Sequence, residues 1–457
     1  MNIDTKIIKN IFETPARTLE STIEETQIIE KEIGKQKPVK EAKNYWNTLG
    51  PGLITGAVDD DPSGIGTYSQ VGSKFGFAYL WLSAFTFPLM SVIQEMCARI
   101  GIVTGRGLAA NIKHHFPKWV ILVASLLLFG ANTFNLGADL GAMAKSTQLI
   151  LPQANFYLLL VIFTLVSLGL PIFMSYKKYA RILKWLSLII ITYVVTGFII
   201  GGDIKTILIN TFIPHIDFSK ESLILICAFL GTSITPYLFF WQTSQEVEEE
   251  VAVGKTSIKL RTTDVSPKEI KRMRVDVVSG MFFCQLVAFF IILTCAGTLW
   301  KNGITNIATA EDAALALRPL AGQYASLLFT VGIVGTGLLA IPVLAGSAAY
   351  CLSETLGVPY GLDRKLKGAY AFYGVMIISV ALGFTINLFN FDAIKLLIYS
   401  AFANGLIAPI ILALIILLTS SSKIMGKYKN HPLITTVGWL TTLVMTVSAI
   451  AAVISLL

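Results

Sequence analysis

The sequence predicts an all-α membrane protein of about eleven transmembrane helices. Three observations carry that prediction. Of the 457 residues, 54% are hydrophobic and only 14% are charged, whereas a soluble domain has roughly 45–50% apolar and about 25% charged residues. Apolar runs near the ~20 residues that cross ~30 Å of hydrocarbon recur from Leu53 to Leu457, separated by short polar loops. Finally, two of these runs, the first and the sixth, carry a proline in their middle.

Taken in order, the predicted spans are 49–74, 77–103, 119–148, 155–175, 180–201, 222–245, 274–300, 323–355, 370–388, 393–419 and 433–457. Pro117, Pro152, Pro214 and Pro432 stand near span edges, where proline is easily accommodated. Residues 1–47 mix Lys, Glu and Thr and lack the apolar core and small-residue cleavage site of a signal peptide, so they read as a soluble N-terminal tail before a membrane domain over 48–457.

The formal net charge of +8 raises the possibility of nucleic-acid binding, but the placement of the basic residues excludes it. Eight lie in the tail and seven between Lys255 and Arg274. Others fall in alternate loops at Arg106, Lys113 and Lys118; at Lys177, Lys178, Arg181 and Lys184; at Arg364, Lys365 and Lys367; and at Lys423, Lys427 and Lys429. The opposite loops carry Lys74, Lys145, Lys205, Lys220, Lys301 and Arg318. By the positive-inside rule the N-terminus is cytoplasmic, and an odd number of spans puts Leu457 outside, in a multi-pass protein of the cell (inner) membrane. The partner implied by this pattern is the lipid bilayer; it does not fix an oligomeric state.

Cys97, Cys227, Cys284, Cys295 and Cys351 all fall within spans without CxxC spacing, so they read as small core residues and not as disulfides or thiolate ligands. His114, His115, His215 and His431 read as loop residues, which leaves no imidazole at membrane depth.

The first broken run reads Gly56-Ala57-Val58-Asp59-Asp60-Asp61-Pro62-Ser63-Gly64-Ile65-Gly66, and the second reads Gly231-Thr232-Ser233-Ile234-Thr235-Pro236-Tyr237. They lie five spans apart. Interrupted helices at matching positions of two halves point to LeuT-like inverted five-helix repeats, here about 48–201 and 222–419 with an extra helix at 433–457, and to a substrate site at the midplane. Unwound backbone at that depth is tolerated only where it lines a cavity or is buried in protein.

A carboxylate near the bilayer centre costs ~2.5–3.5 kcal/mol even on the lenient insertion scale, so three in a row need a reason. Asp61, beside the helix breaker, is expected to face the cavity, with Asp60 along the pathway. The second break adds the hydroxyls of Thr232, Ser233 and Thr235. Freed carbonyls and hydroxyls around one carboxylate form an oxygen-only site of the kind hard cations take. Asn132, Asn135 and Asp139 recur at spacings of three and four and share one face of the third span. That stripe is expected to line the path or to form an interhelical hydrogen-bond network. Glu95 and Arg99, at i and i+4, read as a structural pair. Glu246, Glu248, Glu249 and Glu250 read as a solvated helix end, with an ion-gathering inner mouth as the alternative. No GxxxxGK phosphate loop, HExxH or Ser/His/Asp arrangement occurs in a fitting context, so neither an enzyme nor a cofactor is indicated.

Gly50-Pro51-Gly52, Asp61-Pro62-Ser63-Gly64 and Gly101-Ile102-Val103-Thr104-Gly105-Arg106 together resemble the opening of the NRAMP divalent-metal transporters. The resemblance covers most of the chain and implies two inverted five-helix repeats plus C-terminal helices. In the usual members the first break reads Asp-Pro-Gly-Asn and the sixth span Ala-x-x-Met-Pro-His. The Asp, the Asn, the Ala carbonyl and the Met sulfur bind manganese or iron. Here the Asp stands as Asp61, while Gly64 replaces the Asn, Thr232 the Ala, Thr235 the Met and Tyr237 the His. The acidic residue that typically follows the third-span Asp by three positions, implicated in proton movement, is Ala142, beside a retained Asp139. These departures resemble the prokaryotic NRAMP-related magnesium transporter branch, which implies transport of Mg2+, and also Mn2+, without proton coupling.

The resemblance implies a metal site of Asp61, Gly64, Thr232 and Thr235, with Asp60, Asn135, Asp139 and Tyr237 along the pathway, and a transported ion as substrate. Gly56, Gly64, Gly66 and Gly231 are expected to supply hinge freedom for alternating access. The rivals are a proton-coupled manganese or iron importer that draws a soft ligand from Met143 or Cys227, an amino-acid or organic-ion transporter, and a metal-binding sensor without flux.

Overall fold

Proline dictates where the first and sixth spans break. The computed structural model describes Tyr45 and residues 49–174, 191–200, 203–263, 265–307, 309–389 and 391–457. Among them every regular element is helical. The helices are α1 (Pro51–Asp59), α2 (Pro62–Phe75), α3 (Trp81–Thr104), α4 (Leu108–His115), α5 (Lys118–Gln148), α6 (Phe156–Phe173), α7 (Ile191–Ile200), α8 (Ile204–Phe212), α9 (Lys220–Ser233) and α10 (Pro236–Ala252). They continue with α11 (Ile258–Thr263), α12 (Pro267–Thr298), α13 (Ala310–Leu315), α14 (Arg318–Ala321), α15 (Ala325–Leu356), α16 (Tyr370–Ile386), α17 (Ala393–Ser420), α18 (Ser422–Met425) and α19 (Pro432–Leu456). Pro51–Leu457 is one compact unit; of the residues before it, all but Tyr45, Leu49 and Gly50, and so nearly all of the predicted tail, lie outside the described residues.

Nine helical stretches of the described residues are long and apolar enough to cross a bilayer. The first predicted span adds an interrupted pair, α1 of 9 residues and α2 of 14, and the fifth lies outside the described residues except for Ile191–Ile200. Peripheral helices turn large apolar side chains outward, among them Leu165 and Phe173 of α6 and Leu443, Val447 and Ile454 of α19. Such a belt suits lipid, not water.

Two helices overrun their predicted ends. α12 starts seven residues before 274, at Pro267, where Ser266 and Glu269 form a capping box. α10 runs seven residues past 245, to Ala252. In both places the charge that marks the end of the apolar run does not mark the end of the helix. His114 and His115 close α4 and His431 caps α19, so three of the four histidines belong to helices or their caps.

Backbone-to-backbone packing holds the broken spans in place. A Cβ on Gly56 would lie 2.2 Å from the Gly280 carbonyl oxygen, and one on Gly280 would lie 2.0 Å from that of Gly52. Thus α1 lies directly against α12. The first turn of α1 is also tied there, since Asp276 of α12 accepts from Gly52 N at 2.7 Å and Leu53 N at 3.2 Å. A carboxylate at a helix N-terminus satisfies orphan N–H groups and complements the dipole. In the other half, a Cβ on Gly231 of α9 would lie 2.2 Å from the Ala401 carbonyl oxygen of α17. Gly56, Gly64, Gly66 and Gly231 are absent from the positive-φ glycines. Gly56 and Gly231 stand at close helix contacts, where any side chain would meet backbone.

Candidate metal-binding site

The site begins with what proline cannot do. Pro62 has no N–H to give to the carbonyl four residues back, that of Val58, and α1 ends at Asp59. Asp61 then takes an extended conformation, φ −65° and ψ 172°, and caps α2. Its Oδ1 accepts from Gly64 N and from Ser63 Oγ, each at 2.7 Å. An N-cap carboxylate of this kind is stabilised by the orphan donors of the helix it starts.

The second break follows the same rule. Pro236 cannot serve the carbonyl of Thr232, and α9 ends at Ser233. Ile234 leaves the helix with φ −110° and ψ 64°. Thr235, extended at φ −94° and ψ 132°, starts α10 without a side-chain capping bond, and its hydroxyl is buried without a partner. One turn on, Tyr237 reaches back across the two breaks. Its hydroxyl donates to Asp61 Oδ2 at 3.2 Å and lies 3.4 Å from the Val58 carbonyl that Pro62 leaves free.

A third element, α5, closes the site. Asn135 Nδ2 donates to Asp61 Oδ2 at 2.9 Å. Asp139, one turn further, faces Asp61 and the backbone N–H of Ser63, and neither of its oxygens has a hydrogen-bond partner of good geometry. The Asn135 side-chain oxygen, Oδ1, is also buried and unpaired. Asn132 turns elsewhere and donates to the Leu344 carbonyl at 3.0 Å and to Ser347 Oγ at 2.7 Å. The predicted stripe thus divides: Asn135 and Asp139 belong to the site and Asn132 belongs to the scaffold.

Gly64 lets the two breaks approach. A Cβ there would stand 3.0 Å from the Asp59 carbonyl oxygen and 3.3 Å from Thr232 Oγ1. Hydroxyl, carbonyl and carboxylate oxygens therefore meet around the start of α2. Asp59, Asp60, Asp61 and Asp139 are all at most 1% exposed, which rules out a solvated loop for the triplet. Among the described residues none of the four forms an ion pair. Buried carboxylates without a basic partner call for compensation by a bound cation or by protons. No cluster of three or more His, Cys, Asp or Glu side chains stands ready to hold a metal ion among the described residues, so an ion at the breaks would rely on hydroxyl and backbone oxygens.

Asp60 does not join Asp61. It shares the Cys284 thiol with Asp59, the sulfur donating to Asp59 Oδ2 at 3.0 Å and lying 3.7 Å from Asp60 Oδ1. Cys284, read from sequence as plain core, is thus the polar neighbour of two aspartates, and Ser63 is a second residue that sequence reasoning missed. Asp-Pro-Ser, a helix cap followed by a hydroxyl two residues on, was the signal for Ser63; nothing local signals Cys284. Met143 packs on Gly337 of α15, and Cys227 sits with Ala449 and Ala452 in a separate small cluster, so both proposed soft ligands are packing residues.

The glutamates after the sixth span are also reassigned. Glu246, Glu248 and Glu250 are buried, while Glu249 is exposed. Glu248 accepts from Tyr350 Oη at 2.5 Å, Leu362 N at 2.8 Å and Asp363 N at 3.1 Å. Glu250 pairs with Lys255 at 2.5 Å. Glu248 ties α10 to α15 and the loop after it, Glu246 accepts from Gln242 within α10 at 2.7 Å, and the three buried glutamates are thus neither a solvated end nor a free ion-gathering ring. Glu95 and Arg99 pair as expected, with Arg274 donating to the same carboxylate at 2.8 Å.

Beyond the site, a cavity of about 660 Å³ opens between α2, α5, α6, α13, α15 and α17. Ile65, Gly66 and Ala142 line it, each within about one helical turn of Asp61 or Asp139, and Lys145, Glu311 and Asp392 line it as well.

Curated relatives named "Divalent metal cation transporter MntH" include one from Aeromonas hydrophila, 25% identical over 408 residues that cover 85% of this chain and 91% of the relative. Another, from Mycobacterium leprae, is 23% identical over 428 residues, covering 91% and 92%. A crystal structure of the Eremococcus coleocola manganese transporter, in complex with an aromatic bis-isothiourea substituted compound, superposes with a TM-score of 0.71 at 15% identity over 90% of this chain and 87% of that one. Mhp1, a nucleobase-cation-symport-1 family transporter, superposes with a TM-score of 0.50 at 15% identity, covering 89% and 91%. The fold is thus the LeuT-like one, with the two proline breaks in its first and sixth helices. Residues 52–455 match the family described as natural resistance-associated macrophage protein-like, and the chain belongs to that Nramp family.

Proposed function

We propose that this protein imports a hard divalent cation, Mg2+ and also Mn2+, by alternating access without proton coupling. The observation that carries the reading is Asp61, a buried carboxylate at the junction of two broken helices that accepts from Ser63, Asn135 and Tyr237, with Thr232 Oγ1 close to Gly64 and the unpartnered Thr235 hydroxyl in the second break. No thioether, thiolate or imidazole is hydrogen-bonded to it among the described residues. The unpaired oxygens of Asn135, Asp139 and Thr235 supply acceptors that a cation satisfies and that are otherwise costly to bury.

Asp61 supplies the charge; Thr235, Thr232 and the carbonyls near Gly64 supply neutral oxygens. Magnesium keeps several waters and takes one or two carboxylates, a set this site matches better than it matches a soft ion that prefers sulfur. Relatives named for divalent cations and manganese support divalent-metal transport. That neither sulfur nor imidazole is hydrogen-bonded to Asp61 supports the finer reading; the Cys284 thiol at the first break turns to Asp59 and Asp60 instead. A membrane potential suffices to drive it, since two charges across 100 mV are worth roughly 4.6 kcal/mol, on the order of a thousandfold accumulation. With the N-terminus in the cytoplasm of a cell (inner) membrane, transport would run from the outer vestibule inward.

The test is Mg2+, Mn2+ and Ca2+ uptake into proteoliposomes holding the purified full chain, with an internal pH dye and an imposed potential. Potential-driven Mg2+ entry without acidification supports the reading. Uptake of Mn2+ or Fe2+ alone, accompanied by protons, returns the classical Nramp mechanism, and binding without flux returns a sensor.

A further inference from the structure

The cavity beside the site carries a charge of the wrong sign for a cation path. Lys145 lies in the last turn of α5, six residues beyond Asp139, or about 9 Å along the helix axis at 1.5 Å per residue. It is exposed and lines the same cavity as Ile65, one helical turn from Asp61, and Ala142, one turn from Asp139. Its ammonium stands 5.0 Å from the centre of the Phe156 ring of α6. Two carboxylates line the cavity too. Asp392 is engaged in capping α17, accepting from Ile394 N at 2.9 Å and Lys395 N at 3.3 Å, and Glu311 is exposed in the first turn of α13. Among the described residues Lys145 forms no ion pair with either.

An unneutralised ammonium beside the approach repels an arriving divalent ion, while a stack on an aromatic face holds it against the wall and keeps the passage open. We propose that Lys145 is an affinity-setting residue of the approach, which weakens capture of a divalent ion and so keeps the site unsaturated, with Glu311 acting in the opposite sense. The inference rests on the transport reading above. It adds a determinant of apparent affinity on α5 and α13, outside the residues around Asp61, and because repulsion scales with ionic charge it disfavours trivalent ions more than divalent ones.

The experiment compares initial rates of Mg2+ and Mn2+ uptake into proteoliposomes for the full chain, Lys145→Gln, Lys145→Arg and Glu311→Gln, at low and high monovalent salt. A unit charge ~9 Å from a divalent ion in a water-like dielectric corresponds to about a fivefold effect, so KM for Lys145→Gln falls about fivefold at low salt. Lys145→Arg keeps the KM of the unaltered chain, and Glu311→Gln raises it. At about 300 mM salt, where screening reaches only a few ångströms, the variants converge. An unchanged KM for Lys145→Gln at low salt overturns the inference, as does a shift that salt does not reduce, which would mark packing and not charge. Absence of flux in the unaltered chain overturns the transport reading and this inference with it.

Discussion

Tyr237 donates its phenolic hydrogen to Asp61 Oδ2 at 3.2 Å across 176 residues of sequence, tying the first helix break to the sixth. The same hydroxyl lies 3.4 Å from the Val58 carbonyl, the acceptor that Pro62 strips of its helical donor. The phenol thus engages both oxygens. On the proposed reading an ion at Asp61 would compete with Tyr237, which makes the phenol a counterweight to ion binding as well as a staple between the half-helices.

Removing that hydroxyl with Tyr237→Phe keeps the ring and its burial while withdrawing one donor from a buried carboxylate. The ion-free protein is expected to lose about 1–3 kcal/mol, the cost of an unsatisfied buried charge partner. Because the ion no longer displaces the phenol, stabilisation by added Mg2+ should grow. Melting of the detergent-solubilised protein across a Mg2+ titration checks both. Equal ion-induced shifts in the two proteins would show that the phenol stays on Asp61 when the ion binds.

Asp61 and Asp60 are adjacent but differently employed, and mutation should separate them. Asp61 receives donors from Ser63, Gly64, Asn135 and Tyr237, whereas Asp60 meets the Cys284 sulfur. Asp61→Ala is expected to reduce Mg2+ flux by about 10- to 100-fold, the worth of one charged contact of ~1.5–3 kcal/mol, while the protein still elutes as a folded species. Asp60→Asn should retain flux within about threefold of the unaltered chain, because it does not face the ion. Equal loss in the two variants would put the ion on the triplet as a whole and not on Asp61.

Glycines at the helix contacts divide by what a methyl group would meet. Gly56→Ala places a Cβ 2.2 Å from the Gly280 carbonyl oxygen and Gly231→Ala places one 2.2 Å from that of Ala401, whereas Gly130→Ala in α5 meets nothing within 4 Å. The first two variants are expected to lose about 1–3 kcal/mol or more to overpacking, since backbone has to move. Gly130→Ala should gain up to about 1 kcal/mol from helix propensity. Thermal melting of the three variants decides, and a tolerated Gly56→Ala would mean that α1 can part from α12 without cost.

The helices were legible because their signals are local. Runs of ~20 apolar residues and two mid-span prolines follow from bilayer thickness and from a missing N–H, and both breaks fall where Pro62 and Pro236 put them. The site was legible in part for the same reason: Asp61 beside a helix breaker is a cap as well as a ligand candidate, and Asn135 and Asp139 share a helix face. What stayed hidden is long-range. Cys284 lies 225 residues from Asp59, and no local pattern distinguishes a thiol aimed at a carboxylate from one filling core. The close contacts at Gly56 and Gly231 were hidden too, because a glycine required for close approach and one required for freedom look alike until the facing backbone is known. Glu248 looked solvated because its partners, Tyr350, Leu362 and Asp363, lie more than a hundred residues away.

On the proposed reading, Thr235 is the position where ion choice is most directly tested. It stands immediately before Pro236, its hydroxyl buried without a partner, next to a carbonyl register in which Thr232 has lost its helical donor. Thr235→Met would replace a hard oxygen with a polarisable sulfur on an unbranched chain long enough to reach toward Asp61. Soft ions gain from a thioether and Mg2+ does not. The expected outcome is Cd2+ competition against Mn2+ uptake strengthened about tenfold, equivalent to ~1.4 kcal/mol, with Mg2+ uptake reduced, because sulfur replaces an oxygen and the larger side chain takes up space that a partly hydrated ion needs. Half-inhibitory Cd2+ concentrations for the unaltered chain and the variant measure it. If Cd2+ already competes equally well in both, then a soft ligand other than residue 235 is present, and the hard-cation reading of the site falls with the prediction.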